Sequence, residues 1–194
     1  VLPDPTVKVV DDGIAMLRQN QCDAVLACGG GSSIDAAKVI ALAGANGLSA
    51  LECVGLKVAK LPTIPLYAVP TTAGTGSEVT LAAVISYNET HAKLIVADPR
   101  IIPSAAALDP GIMQGLPPHI TAATGMDALT HAIESYINTW NTEECLHYGR
   151  AATRLILNNL PQACADGQNL AAREAMALGS YYAGLAFTTC LVGY

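Results

Sequence analysis

Apolar residues recur along this chain in two rhythms, and the change from one to the other divides it. Across residues 7–20 they fall at helical spacing, with Val10, Ile14 and Leu17 on one side, so a helix is expected there. Ala24, Val25, Leu26, Ala27 and Cys28 then run without interruption, which reads residues 23–28 as a buried strand, closed by three glycines. A helix over 32–43, a strand over 66–69 ended by Pro70, and a strand over 93–96 ended by Asp98-Pro99 continue the alternation. Alternating helices and strands of this kind specify an α/β domain with a largely parallel sheet. After Pro110 the strand signals fade, and alanine-rich helical patterns take over at 122–137, 144–157 and 170–187. The boundary falls near Asp109, giving an α/β domain over residues 1–109 and an all-helical domain over 110–194.

Composition narrows the function classes. With 52% hydrophobic and 13% charged residues in 194, the chain has ample core for one good-sized domain or two small ones. A formal net charge of −6 supplies no basic stripe for a phosphate backbone, so nucleic-acid binding is excluded. The six cysteines contain no C-x-x-C pair, and their apolar neighbours suggest buried, reduced thiols and a cytosolic (cytoplasmic) setting. Residues 175–194 carry no charge, and about 20 apolar residues can span a bilayer. Gly179, Ser180, Tyr181, Tyr182, Gly184, Thr188, Thr189 and Gly193 interrupt that stretch, so a buried helix is expected rather than a membrane span. The absence of an initial methionine and the apolar ending Leu191-Val192-Gly193-Tyr194 lead to the expectation that both ends are cut.

Three segments carry chemistry. GGGSSIDAAK, residues 29–38, sits between a strand and a helix, where backbone N–H groups and the helix dipole attract anions. It is neither a G-x-G-x-x-G fingerprint nor a Walker loop, and a plain strand-to-helix turn would use the same residues. Ser32 is expected to cap the helix, with Asp35 as its capping-box partner. PTTAGTGSEVT, residues 70–80, again follows a strand and concentrates hydroxyls where a pyrophosphate and ribose could be held; a serine/threonine-rich turn is the plainer alternative. If both strands belong to one parallel sheet, the two loops converge on one crevice.

The third segment is ATGMDALTHAIESY, residues 123–136. At 3.6 residues per turn, Asp127 and His131 lie one turn apart and roughly 40° from each other around the helix. The apolar arc of Ala128, Leu129, Ala132, Ile133, Tyr136 and Ile137 is expected on the opposite side, facing the core. A carboxylate and an imidazole on one face suit Fe2+ or Zn2+, although two donors do not fill a shell; a surface Asp/His pair has the same spacing. Glu134 could be solvated, and His91, His119 and His147 have no ligand-like spacing and are read as loop or surface residues.

In this order and at these separations, the three segments resemble the iron-containing (group III) alcohol dehydrogenases, which include lactaldehyde reductases and propanediol dehydrogenases. The resemblance runs over essentially the whole chain. It implies an α/β dinucleotide-binding domain followed by an all-helical metal-binding domain, the architecture shared with dehydroquinate synthase, here truncated. It also implies NAD or NADP as cofactor. Gly30, Gly31 and Ser32 would hold the pyrophosphate, with Asp35 beside them, and Thr71, Thr72, Thr75 and Ser77 the phosphate and nicotinamide-side ribose. Lys93 matches a lysine that reaches the cofactor, and Asp127 and His131 match the first two metal ligands. Residues 184–187 align with the helix leading to a third ligand, a histidine just beyond Tyr194, and the first strands of the cofactor domain are also expected to be absent.

The activity implied is oxidation of a small primary or vicinal alcohol, or reduction of the aldehyde, by hydride transfer at the nicotinamide. The divalent metal, iron or alternatively zinc, would polarise the substrate oxygen. Assembly as a homo-oligomer is expected. Two rivals remain: a zinc-dependent relative of glycerol dehydrogenase, and a truncated, non-catalytic nucleotide-binding protein.

Overall fold

The computed structural model describes residues 4–90 and 92–190; His91 and the apolar ending 191–194, both read above, lie outside them. Helix α1 (Val7–Gln19) begins where the Thr6 hydroxyl accepts the Val9 N–H, and it buries Val7, Val10, Ile14 and Leu17, the stripe read from the sequence. Strand β1 (Val25–Gly29) leads through the glycines into α2 (Gly31–Asn46), which stops at Gly47 in the left-handed conformation. There follow β2 (Gly55–Leu56), β3 (Leu66–Pro70), β4 (Ala82–Ser86), β5 (Lys93–Ala97) and β6 (Ala105–Ala106).

The strands form two sheets, ordered β1-β3-β6 and β2-β5-β4. β3 pairs with β6, and β2 with β5, in parallel, whereas β4 runs antiparallel to β5 with Val84 opposite Ile95. The expectation of a largely parallel sheet therefore fails in the second sheet, where β4 was not anticipated. Residues 87–92 are too short for a crossover, so the chain can only turn back as a hairpin, with the Tyr87 N–H bonded to the Ala92 carbonyl at 2.9 Å. β1 also differs from the reading of a buried strand: Ala27 is buried, but Leu26 is 68% exposed and Cys28 is exposed. Its side chains alternate, and α2 covers only the face that carries Ala27.

Helix α2 is buried on nearly all sides, which explains why its sequence is apolar around the whole wheel. Ile34, Ala37 and Ala41 pack with Ala27, Leu66 and Ala68 of the first sheet. Ala36, Val39 and Leu42 pack with Val10 and Ile14 of α1 and with Ala83, Ile85 and Val96 of the second. Asp98, 1% exposed, is held by Arg100, whose hydrogen bonds keep the carboxyl below the usual carboxylate range despite burial.

The chain separates into two compact units. One holds the described residues up to Val69 together with Thr80–Ala106; the other holds Pro70–Val79 with the described residues from Ala107 onward. The α/β and helical regions thus follow in the expected order, but loop 70–79, assigned by sequence to the α/β part, packs with the helices.

Three helices build the second unit: α3 (Pro118–Ile137), α4 (Glu143–Ala165) and α5 (Leu170–Cys190). α4 continues well past the expected end at residue 157, through Pro161, because Ala163 beyond it is buried in the helical core. Arg173, 2% exposed, donates to the Thr121 hydroxyl at 2.7 Å and to the Gly167 and Leu116 carbonyls at 3.1 Å, tying α5 to the start of α3. Among the described residues, no helix is long and apolar enough to cross a membrane.

Candidate functional site

In the first unit the glycine turn opens α2 with Gly30, not Ser32, as the N-cap, and no side chain caps the helix. Ser32 lies inside the first turn, where its hydroxyl accepts the Asp4 N–H at 3.3 Å. Asp35 does not reach back as a capping-box partner; one of its oxygens accepts the Val84 N–H of β4 at 2.9 Å. The expected capping box is therefore replaced by a helix-to-strand tie at the surface, because β4 offers Asp35 a backbone donor. A side chain on Gly29 would run into Ser33, so the close turn there requires glycine. The uncapped first turn of a 16-residue helix presents backbone N–H groups, the arrangement that receives anions. Gly30, Gly31 and Ser32 are half-buried around it. Lys93, at the start of β5, is exposed and ion-paired with Asp4.

In the second unit, loop 70–79 lies closely against two helices. A Cβ on Gly74 would stand 2.8 Å from Thr124 Cβ and 2.9 Å from the Thr124 carbonyl oxygen of α3. Gly76, at φ +60°, meets Gly184 of α5 backbone to backbone, its own Cβ position being 2.7 Å from the Gly184 Cα. Within the loop the Ser77 N–H donates to the Thr75 hydroxyl at 3.2 Å. Thr71, Thr72 and Thr75 stay half-exposed, while Ser77 and Glu78 are buried.

Asp127 and His131 do share a face of α3, with Nε2 to Oδ1 at 3.7 Å and side-chain exposures of 46% and 21%. His131 leans on the Phe187 ring of α5, centroids 4.7 Å apart, and its Nδ1 is buried without a hydrogen-bond partner. The Asp127 carboxylate and the His131 Nε2 that faces it suit a borderline-soft divalent cation between them, while the buried Nδ1 lies at a different position on the ring. The fit is that of a half-site: among the described residues no cluster of three or more His, Cys, Asp or Glu side chains could enclose an ion.

The face opposite this pair departs from expectation. Thr121, Gly125, Ala128, Leu129, Ala132 and Ser135 are buried, but Ile133, Tyr136 and Ile137 are exposed. Small residues mark the contact: the space beside Gly125 is taken by the Leu160 and Met176 side-chain ends, and a Cβ on Gly149 of α4 would stand 3.2 Å from the Ala132 carbonyl oxygen of α3. The cysteines also depart from it. Cys22 and Cys28 are exposed, and Cys145 and Cys190 are joined as a disulfide although 45 residues apart in sequence.

The sequence profile described as "Iron-containing alcohol dehydrogenase" matches residues 1–110, and that of the "Fe-containing alcohol dehydrogenase family, C-terminal" matches residues 121–194. The chain belongs to the iron-containing alcohol dehydrogenase family. Among its relatives, the NAD-dependent methanol dehydrogenase of Bacillus methanolicus is 44% identical over 185 residues, covering 95% of this chain and 49% of that protein. The crystal structure of a 1,3-propanediol oxidoreductase superimposes with a TM-score of 0.96 at 43% identity, over 100% of this chain and 51% of that one. A sulfoacetaldehyde reductase from Bifidobacterium kashiwanohense, solved in complex with NAD+, gives a TM-score of 0.92 at 37% identity, over 98% and 51%. The chain thus spans about half the length of these relatives. Within this family member, the neighbours of His131 that sequence reasoning missed are Phe187 and Ser135: Phe187 is 56 positions away, and no local pattern announces such a contact.

Proposed function

We propose that the parent protein is an NAD(P)-dependent alcohol dehydrogenase or aldehyde reductase acting on a small primary or vicinal alcohol, with a divalent metal, iron before zinc, in its helical part. The observation that carries this reading is the Asp127/His131 pair, one turn apart on α3, with the carboxylate and the His131 Nε2 turned toward each other at 3.7 Å. Asp127 and His131 would hold two positions of the ion, and the remaining donors would have to come from outside the described residues. The bound metal would supply Lewis-acid polarisation of the substrate oxygen, and the nicotinamide the hydride acceptor or donor.

This chain's residues contribute orientation. The first turn of α2 at Gly30, Gly31 and Ser32 would receive the pyrophosphate on its N–H groups, with Asp35 holding that turn to β4. The hydroxyls of Thr71, Thr72 and Thr75 would hold phosphate and ribose; Ser77, being buried, would brace the loop as well as bind. Lys93 would turn from Asp4 toward the cofactor. Cytoplasmic location and assembly as a homo-oligomer belong to the same proposal.

A second reading, a non-catalytic nucleotide binder, draws on the two-donor half-site of the chain taken alone. The two separate in a protein extended to its relatives' length and loaded with Fe2+ or Zn2+. Metal content by elemental analysis and NADH binding by fluorescence are then compared with alcohol turnover. Asp127→Ala should lose metal at least tenfold and keep NADH binding. NADH binding without turnover, with either ion bound, would sink the dehydrogenase reading.

A further inference from the structure

Beyond the α3 pair, the second unit brings together two sulfurs. Cys145 stands in the first turn of α4, its N–H capped by the Thr142 hydroxyl, and Cys190 closes α5. Their Cα atoms are 6.6 Å apart, within the reach of a disulfide, and both residues are buried. Both sulfurs also border one carbonyl, that of Ser135 in the last turn of α3, at 3.4 Å from Cys145 Sγ and 3.7 Å from Cys190 Sγ.

We propose that Cys145 and Cys190 form a reversible thiol–disulfide clasp that fastens the last turn of α5 to the first turn of α4. Nearby carbonyls favour the thiol form, and the covalent tie favours the oxidised one. The last four carbonyls of a helix have no partner within it, and Ser135 is among them because α3 ends at Ile137. As thiols, Cys145 can donate to that carbonyl and Cys190 to the nearer Ala186 carbonyl at 3.1 Å; as a disulfide they lose both donors and gain a covalent tie. Each form thus offers the sulfurs an interaction of its own.

The clasp lies beside the pair on α3. Ser135 is one turn from His131, whose carbonyl accepts the Ser135 hydroxyl at 2.7 Å, and Cys190 is one turn beyond Phe187, the ring that packs on His131. Closing it fixes the end of α5 to the start of α4, and with it the turn that carries Phe187. The chemistry is thiol–disulfide exchange with a low-molecular-weight disulfide. When the last turn of α5 opens, one cysteine thiolate attacks the small disulfide, forming a mixed disulfide and releasing one thiol. The second cysteine then attacks the protein-bound sulfur and releases the other. Two protein thiols and one small disulfide become one protein disulfide and two small thiols.

The test needs neither metal nor nicotinamide, so its outcome is separable from that of the proposed activity. The protein is equilibrated in mixtures of reduced and oxidised glutathione, quenched with acid, alkylated, digested and analysed by mass spectrometry, with parallel thermal melts. The expected result is a crosslinked Cys145–Cys190 peptide that accumulates in oxidised glutathione and disappears in reduced, accompanied by a Tm higher by about 5–10 °C in the oxidised form. Cys145→Ser and Cys190→Ala should each abolish that difference. The proposal is overturned if native protein keeps both thiols alkylatable after oxidation, if Cys22 or Cys28 takes the partner's place, or if the two forms melt together. The peptide readout uses the unaltered protein and stands even if a variant folds poorly.

Discussion

The buried ammonium of Lys38 donates to the Thr80 carbonyl oxygen at 2.8 Å and to the Thr80 hydroxyl at 3.0 Å, with a third bond to the Ala82 carbonyl at 2.8 Å. Lys38 is 0% exposed, on the α2 helix that begins at the glycine turn, and Thr80 is the residue at which the chain leaves the second glycine loop. A cation that would cost heavily if buried bare is thus surrounded by oxygens, and it pins the frame in which α2 is set.

Lys38→Met keeps the length of the side chain and removes all three donors. The abandoned oxygens stay buried, so unfolding in urea should show a loss of about 2–4 kcal/mol. A variant that unfolds at the same urea concentration as the parent would mean that water replaces the ammonium. Lys38→Arg should not rescue, because a planar fork does not fit a pocket shaped for a point charge.

Gly76→Ala meets two obstacles at once: φ of +60°, and a Gly184 Cα only 2.7 Å from the new methyl. Gly184 and the Ser180 carbonyl oxygen, 3.1 Å from the same position, are both backbone, and neither can swing aside. The expected cost is on the order of 2–3 kcal/mol, read as a fall in Tm. Gly47→Ala serves as the comparison, since its φ of +71° is similar but nothing lies within 4 Å of its Cβ position. If the two variants melt alike, the close approach to α5 contributes nothing and only the backbone conformation matters.

Asp98 gives the fold a definite acid sensitivity. Hydrogen bonds from Arg100 lower its folded pKa, so its contribution is complete above the unfolded value of about 3.9 and is lost as the pH falls through the lowered folded value. Replacing it by Asn should flatten the dependence of stability on pH below about pH 4 by up to one proton per molecule. Acid titration of both proteins, followed by circular dichroism, measures the difference in slope; equal slopes would remove Asp98 from the account.

Much of this architecture was legible because local rules decided it. The Val10, Ile14, Leu17 stripe, the turn at residues 29–31 and the one-turn separation of Asp127 and His131 depend only on helical period and glycine chemistry. What escaped depends on distant partners. β4 is a strand because β5 pairs with it, and Asp35 bonds β4 rather than its own helix start. The inner face of α3 was misjudged because hydropathy weighs side-chain size, whereas close helix packing selects glycine and alanine. Cys145 and Cys190 had no spacing to read; only the folding of α4 against α5 brings them together.

The meeting of Gly76 with Gly184 bears on how such a loop can diverge. Where a loop touches a helix through side chains, either partner can be trimmed or enlarged one substitution at a time. Here backbone rests on backbone, and there is nothing left to trim. The path of loop 70–79 is therefore tied to that of α5, while the half-exposed side chains at Thr71, Thr72 and Thr75 can vary as the course of the chain stays constant.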